Sequence, residues 1–91
     1  MIDGNVKEFV DSLYDATEKE YLFRGRHQMI QGYFKDGVWT YYIQQFNPDA
    51  DGLIWECSAK TVNECVEEFL KAKIFDGKTF YEVEKEITWV G

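Results

Sequence analysis

The sequence predicts an α+β domain of two layers: a three-stranded antiparallel sheet with helices packed on one face, in the order α-β-β-β-α-α. Three observations predict it. Two segments, one near each end, place apolar residues at helical spacing. Between them runs a ring-rich stretch that alternates with period two about an Asp-Gly pair. The chain has 91 residues, room for one core, so residues 1–91 make a single domain.

The first helix spans about Asn5 to Ala16. Val6, Phe9, Val10, Leu13 and Tyr14 share one face, and Lys7, Glu8, Asp11, Ser12 and Asp15 the wet side. Asn5 serves as the cap and Glu8 as the capping-box carboxylate. The stretch from Tyr21 to Phe46 then centres on Asp36-Gly37, a type I′ hairpin signal because both central positions need positive φ. A two-residue turn sets Lys35 against Val38, Phe34 against Trp39, Gly32 against Tyr41 and Ile30 against Ile43. Alternation sends Ile30, Gly32, Phe34, Trp39, Tyr41 and Ile43 to the core face. Met29, Gln31, Tyr33, Thr40, Tyr42 and Gln44 go to the other face, which is wet or touched by a partner. Gly32 leaves room for the Tyr41 ring to lie flat on the strand. The run from Tyr21 to His27 is a bulged start to the same strand or a separate bend broken at Gly25.

Asn47 to Gly52 forms a loop, since Pro48 cannot donate to a ladder. Leu53 to Ser58 is the third strand, with Leu53, Trp55 and Cys57 alternating against Ile54, Glu56 and Ser58. A second helix runs from about Val62 to Lys73 behind a Thr61/Glu64 capping box, with Val62, Cys65, Val66, Phe69 and Leu70 as its apolar stripe. Asp76-Gly77 stops it. Thr79 and Glu82 form a second capping box and open a short third helix that turns Phe80, Val83 and Ile87 inward. Ile87-Thr88-Trp89-Val90 ends as a short fourth strand or as a tail tied down by Trp89.

The aromatic supply supports a real core. Three Trp, six Tyr and seven Phe make up 18% of the chain, and each buried ring removes roughly 150–250 Å² from water. Charge narrows the partners. Seventeen acidic against ten basic residues give a formal net charge of −7, which repels nucleic acid and anionic membranes, so no direct nucleic-acid or membrane contact is expected. No apolar run approaches the ~20 residues of a membrane span. Two cysteines, Cys57 and Cys65, and no leader-like start point to a reduced, cytoplasmic setting.

Chemistry-bearing patterns are sparse. His27, the one histidine, would need Cys57 or Cys65 beside it for nucleophilic work, and Cys65 lies on an apolar stripe. Asn47-x-Asp49-x-Asp51-Gly52 echoes a calcium loop, but its first position is Asn, Pro48 intrudes and Ser58 stands where a bidentate Glu belongs. A polar turn is the better reading, and neither a metal nor a cofactor is expected. Arg24-Gly25-Arg26-His27, the only basic cluster, meets a phosphate or carboxylate or pairs with an acidic helix of its own chain. No phosphate-cradling loop, nucleophile elbow or zinc spacing is present, so no enzyme activity is expected.

The acids are the remaining candidates. Glu64, Glu67 and Glu68 fall on the wet face of the second helix, Glu82 on the third, and Asp49 and Asp51 in the loop before the third strand. Converging, they would make a negative surface resembling duplex phosphates, which run at about one charge per ~1.7 Å of axis. The solvated helix face is the competing reading. The order of elements, the acidity and the run Thr61-Val62-Asn63-Glu64-Cys65-Val66-Glu67-Glu68-Phe69-Leu70 through Phe80-Tyr81-Glu82-Val83 to Ile87-Thr88-Trp89 resemble the small acidic anti-CRISPR proteins of phages and mobile elements. The chain is similar in the same way to short proteins carried by phages and integrative elements of Gram-positive bacteria. The anti-CRISPR resemblance implies an inhibitor that poses as DNA to a nuclease. It assigns no role residue by residue.

The expectation is therefore a small acidic protein-binding module, a DNA mimic for a basic protein partner. The alternative is a self-associating module, a homodimer joined through the aromatic outer sheet face around Tyr33 and Tyr42.

Overall fold

A computed structural model describes residues 6–47 and 52–90. Helix α1, Val6–Ser12, continues as a 3-10 turn, Leu13–Asp15. Strands β1 Lys19–Phe23, β2 Arg26–Lys35, β3 Val38–Asn47 and β4 Gly52–Ala59 follow. Helix α2, Val62–Lys71, helix α3, Phe80–Val83, a 3-10 turn at Glu84–Glu86 and strand β5, Ile87–Trp89, complete the chain. The strands form one antiparallel sheet in the order β4-β3-β2-β1-β5. The class is α+β as expected, but the sheet has five strands among the described residues rather than three.

The difference lies in one turn. Arg24 and Gly25 have φ of 49° and 77°, a second two-residue turn with both central residues left-handed. It separates β1 from β2 and pairs Phe23 with Arg26 and Tyr21 with Gln28. Arginine pays for a positive φ that Asn, Asp or Gly adopts more readily, which hides the turn in the sequence. With β1 in place, the closing segment gains an edge to join: Phe23 pairs with Ile87 and Tyr21 with Trp89. The short strand expected at the C-terminal end is thus β5.

The central hairpin has the expected register, from Lys35 opposite Val38 to Ile30 opposite Ile43. Asp36 and Gly37 have φ of 53° and 82°. Gly32 lies under Tyr41: a Cβ built on Gly32 would fall 2.5 Å from Tyr41 Cε1. The Tyr41 hydroxyl donates to the Leu13 carbonyl at 2.6 Å, and the Gly32 amide donates to the Ala16 carbonyl at 3.0 Å. The end of the first helical segment is therefore pinned to the middle of the sheet. Phe34, expected in the core, is 58% exposed. It projects on the core side near the hairpin tip and packs on Trp39 instead, with ring centroids 5.3 Å apart.

All helices lie on the core face. Phe9 and Leu13, then Cys65, Val66 and Phe69 of α2, Phe75, and Phe80 and Val83 of α3 meet Tyr21, Phe23, Ile30, Tyr41, Ile43 and Ile87 from the sheet. Rings dominate the junction: Phe9 stacks on Phe80 at 5.4 Å, and Phe69 touches Trp55 and Phe80 at 5.8 and 5.7 Å. Two expectations need correction. Helix α2 ends at Lys71, two residues earlier than Lys73, with the Ala72 amide shared between the Glu68 and Phe69 carbonyls. Asp76-Gly77 is then a tight turn beyond the helix, closed by paired Phe75–Lys78 backbone bonds of 3.0 and 3.1 Å. In β4, an irregularity opposite Ile43/Gln44 breaks the alternation, so Trp55 and Cys57 pack against the core but Leu53 is exposed. The Thr79/Glu82 capping box forms as expected; at Thr61 the hydroxyl caps the Glu64 amide at 3.2 Å and Glu64 accepts from that hydroxyl, while the Asn5 cap lies outside the described residues.

Asp15 ties the end of the first helical segment to β1. One of its oxygens accepts from the Thr17 amide at 2.8 Å, the Thr17 hydroxyl at 2.6 Å and Lys19 Nζ at 2.9 Å. These bonds, Thr17 first, hold its carboxyl down at about 2, against an ordinary 3.8. A depressed carboxylate stabilises the fold above its unfolded value, and that contribution is lost as pH falls toward the folded value. Because the side chain is half exposed, the effect is small. Asp15→Asn should cost less than ~1 kcal/mol at pH 7, with the two proteins converging in urea titrations below about pH 2.

Candidate outer-face interaction surface

No described helix or strand covers the second face of the sheet. Alternation and pairing place Leu22 of β1, His27, Met29, Gln31 and Tyr33 of β2, and Thr40, Tyr42 and Gln44 of β3 on it. Phe46, at the β2–β3 irregularity, turns its ring to His27 at 5.2 Å. Tyr33 and Tyr42, the pair expected here, stand edge to face at 6.0 Å. Leu22, Tyr33, Phe46 and Ile54 are 39%, 45%, 41% and 39% exposed. Beneath them Met29 is buried, although no helix lies above it.

Three polar pairs of this face are bonded within the chain. Tyr42 donates its hydroxyl proton to Gln31 Oε1 at 2.9 Å. Thr40 and Ser58 share a hydroxyl hydrogen bond of 2.8 Å. His27 Nε2 lies 2.8 Å from Glu20 Oε1. A buried polar group costs free energy mainly when it loses its partner. These paired groups give up water at low cost. Its formally charged strand residues are Glu20, Lys35 and Glu56, two acids and one base, a local charge of −1 in a chain of −7. Depletion of charge with enrichment of aromatic rings is the compositional mark of an interface core.

The acidic candidates are arranged differently. Glu64, Glu67 and Glu68 are exposed on α2. Glu64 accepts from the Thr61 hydroxyl at 3.1 Å, and Glu68 lies 4.0 Å from Lys71. Glu82 is committed to its own cap: it accepts from the Thr79 amide at 2.9 Å, which lowers its pKa. Asp49 and Asp51 lie outside the described residues. The basic cluster meets carboxylates of its own chain. Arg24 grips Glu86 at 2.6 and 3.0 Å and Asp76 at 2.8 Å, and Arg26 holds Asp76 at 2.7 and 3.1 Å. Both guanidinium groups lie over the Phe23 ring, 5.1 Å from its centroid.

His27 and the two thiols are on opposite sides of the sheet. Cys65 is fully buried, its Sγ 3.5 Å from the Trp39 carbonyl and 3.7 Å from that of Cys57. Burial pushes its thiol up to about 11. Little thiolate forms at neutral pH, so native Cys65 should resist alkylation at pH 7.5 and label only as the protein unfolds. Peptide mass spectrometry over an iodoacetamide time course checks this, and fast labelling of the native protein would contradict it. Among the described residues there is no pocket and no metal-holding group of three His, Cys, Asp or Glu. No described helix is long and apolar enough to cross a membrane.

A comparison with protein-family models, curated proteins and solved structures finds no match.

The sequence signal for Tyr33 and Tyr42 was the hairpin register. Leu22 and Phe46 escaped it, as did Leu53, which was expected to share a face with Trp55 but pairs with Gln44. Leu22 depends on the Arg24-Gly25 turn, and the other two lie where irregular pairing moves the alternation by one residue.

Proposed function

We propose that this chain is a protein-binding module that docks through the uncovered face of its five-stranded sheet. The observation that carries the reading is the internal pairing of that face's polar groups beneath an exposed rim of Leu22, Tyr33, Phe46 and Ile54. Large apolar side chains left exposed together on one uncovered face mark an interaction surface. Charged residues introduced at the rim test it. Tyr33→Asp with Phe46→Asp should abolish partner binding in calorimetry or pull-down while leaving the far-ultraviolet circular dichroism unchanged. Full binding by that variant would remove the proposal.

A second reading keeps the acids as the contact, with a basic, DNA-binding protein as partner and this chain as its DNA mimic. Glu67 favours it, since no described lysine or arginine comes within salt-bridge distance of its carboxylate. Binding of that type weakens steeply with salt and fails on charge reversal at Glu64, Glu67 and Glu68.

A further inference from the structure

We infer that the occupant of the uncovered sheet face is a second copy of this chain, packed face to face about a two-fold axis. The inference rests on the docking reading above and names its partner.

Three features select a second copy. The first is charge. At −7 the chain repels itself over most of its surface, and the outer face, at −1, is where two copies can approach with least repulsion. The second is polar satisfaction. Gln31, Thr40, Tyr42, Ser58 and the His27–Glu20 pair are bonded within the chain. A foreign partner is usually selected by hydrogen bonds that it alone completes. Here most such bonds are already made, those of Gln44 and the Tyr33 hydroxyl aside, and what remains is chiefly shape and apolar contact, the terms on which two sheets pack about 10 Å apart in a sandwich. The third is area. Strands of 8, 10, 10, 5 and 3 residues at about 3.3 Å per residue and about 4.8 Å between strands cover roughly 600 Å² in projection. Two such faces bury about 1,200 Å², the lower end of what a specific interface needs. A two-fold arrangement repeats one contact twice, so a single self-complementary face suffices.

Sedimentation equilibrium of the whole chain over a hundredfold concentration range tests this, at low and at high salt. The expected result is a monomer–dimer equilibrium that salt does not weaken, because the contact is apolar and screening only eases the repulsion between two chains of −7. Tyr33→Asp with Phe46→Asp should weaken the dimer at least a hundredfold, and Glu67→Lys on α2 should not. Thermal unfolding of the double variant shows whether it folds. If it does not, Tyr33→Ser alone, at an exposed site, is read in its place, with an expected tenfold weakening. A wild-type chain that stays monomeric throughout overturns the inference, as does a dimer that survives in the folded face variant. The docking reading fails separately: if the chain is monomeric and the same variant still binds its partner from host lysate as the wild type does, the face is not the docking surface at all.

Discussion

Gly32→Ala is expected to lower stability by about 3 kcal/mol. The added Cβ would meet three atoms of the Tyr41 ring at 2.5 to 2.9 Å. The ring has nowhere to go. Tyr41 is buried, and its hydroxyl is held by the Leu13 carbonyl at 2.6 Å. Relief must come from moving either the strand or the helical segment above it. For a domain of this size the loss corresponds to a fall in melting temperature of roughly 12–24 °C. Thermal denaturation of Gly32→Ala measures it. In a Tyr41→Ala background the same substitution should cost far less, since the two side chains then no longer compete for one space. A shift of a degree or two in the single variant would contradict the packing described.

Phe69→Ala should cost about 3–5 kcal/mol, because it empties a ring-sized volume in a close-packed core. Phe69 is the ring that α2 places in the core beside Cys65 and Val66. It meets Trp55 of β4, Phe75 and Phe80, at centroid distances of 5.8, 6.1 and 5.7 Å. A small domain has only about 5–15 kcal/mol in all, so this variant stands near the edge of unfolding at room temperature. Urea denaturation with an unchanged slope is the measurement. Phe34→Ala is the control: its ring is 58% exposed, and its loss should cost about 1 kcal/mol or less. Equal losses for the two phenylalanines would mean that the core lies elsewhere.

The parts of the fold legible in the sequence are those specified by local chemistry. Asp36-Gly37 fixed the hairpin and, through period two, the opposition of Gly32 and Tyr41. Thr61 and Thr79 marked helix starts within a residue. What escaped was set by tertiary context. Arg24 takes a left-handed conformation that nothing local favours. It is held in place by Glu86 and Asp76, 62 and 52 residues away in sequence. Without that turn β1 does not appear, and without β1 the final strand has no edge to join. Phe34 has the apolarity and register of a core residue but lies too near the hairpin tip for the helices to cover it.

Site residues divide in the same way. Tyr33 and Tyr42 follow from the hairpin alone. Leu22, Phe46 and Leu53 depend on a turn and two irregularities that no pattern announces. The acids could be placed on helix faces from spacing, but their electrostatic surroundings could not. Asp76 and Glu86, within the acidic end of the chain, are spent on Arg24 and Arg26, and the distant strand that brings those cations is invisible to periodicity.

Hydroxyl-radical footprinting across a concentration series tests the docking face most directly, because it reports side chain by side chain. Tyr33 and Phe46 on the open face should be oxidised at low concentration and become protected as the protein is concentrated. Tyr14 and Tyr81, on the helical side and 40% and 54% exposed, should be oxidised to the same extent throughout. Protection of Tyr14 or Tyr81 with Tyr33 and Phe46 unchanged would place the contact on the opposite side of the molecule and contradict the account.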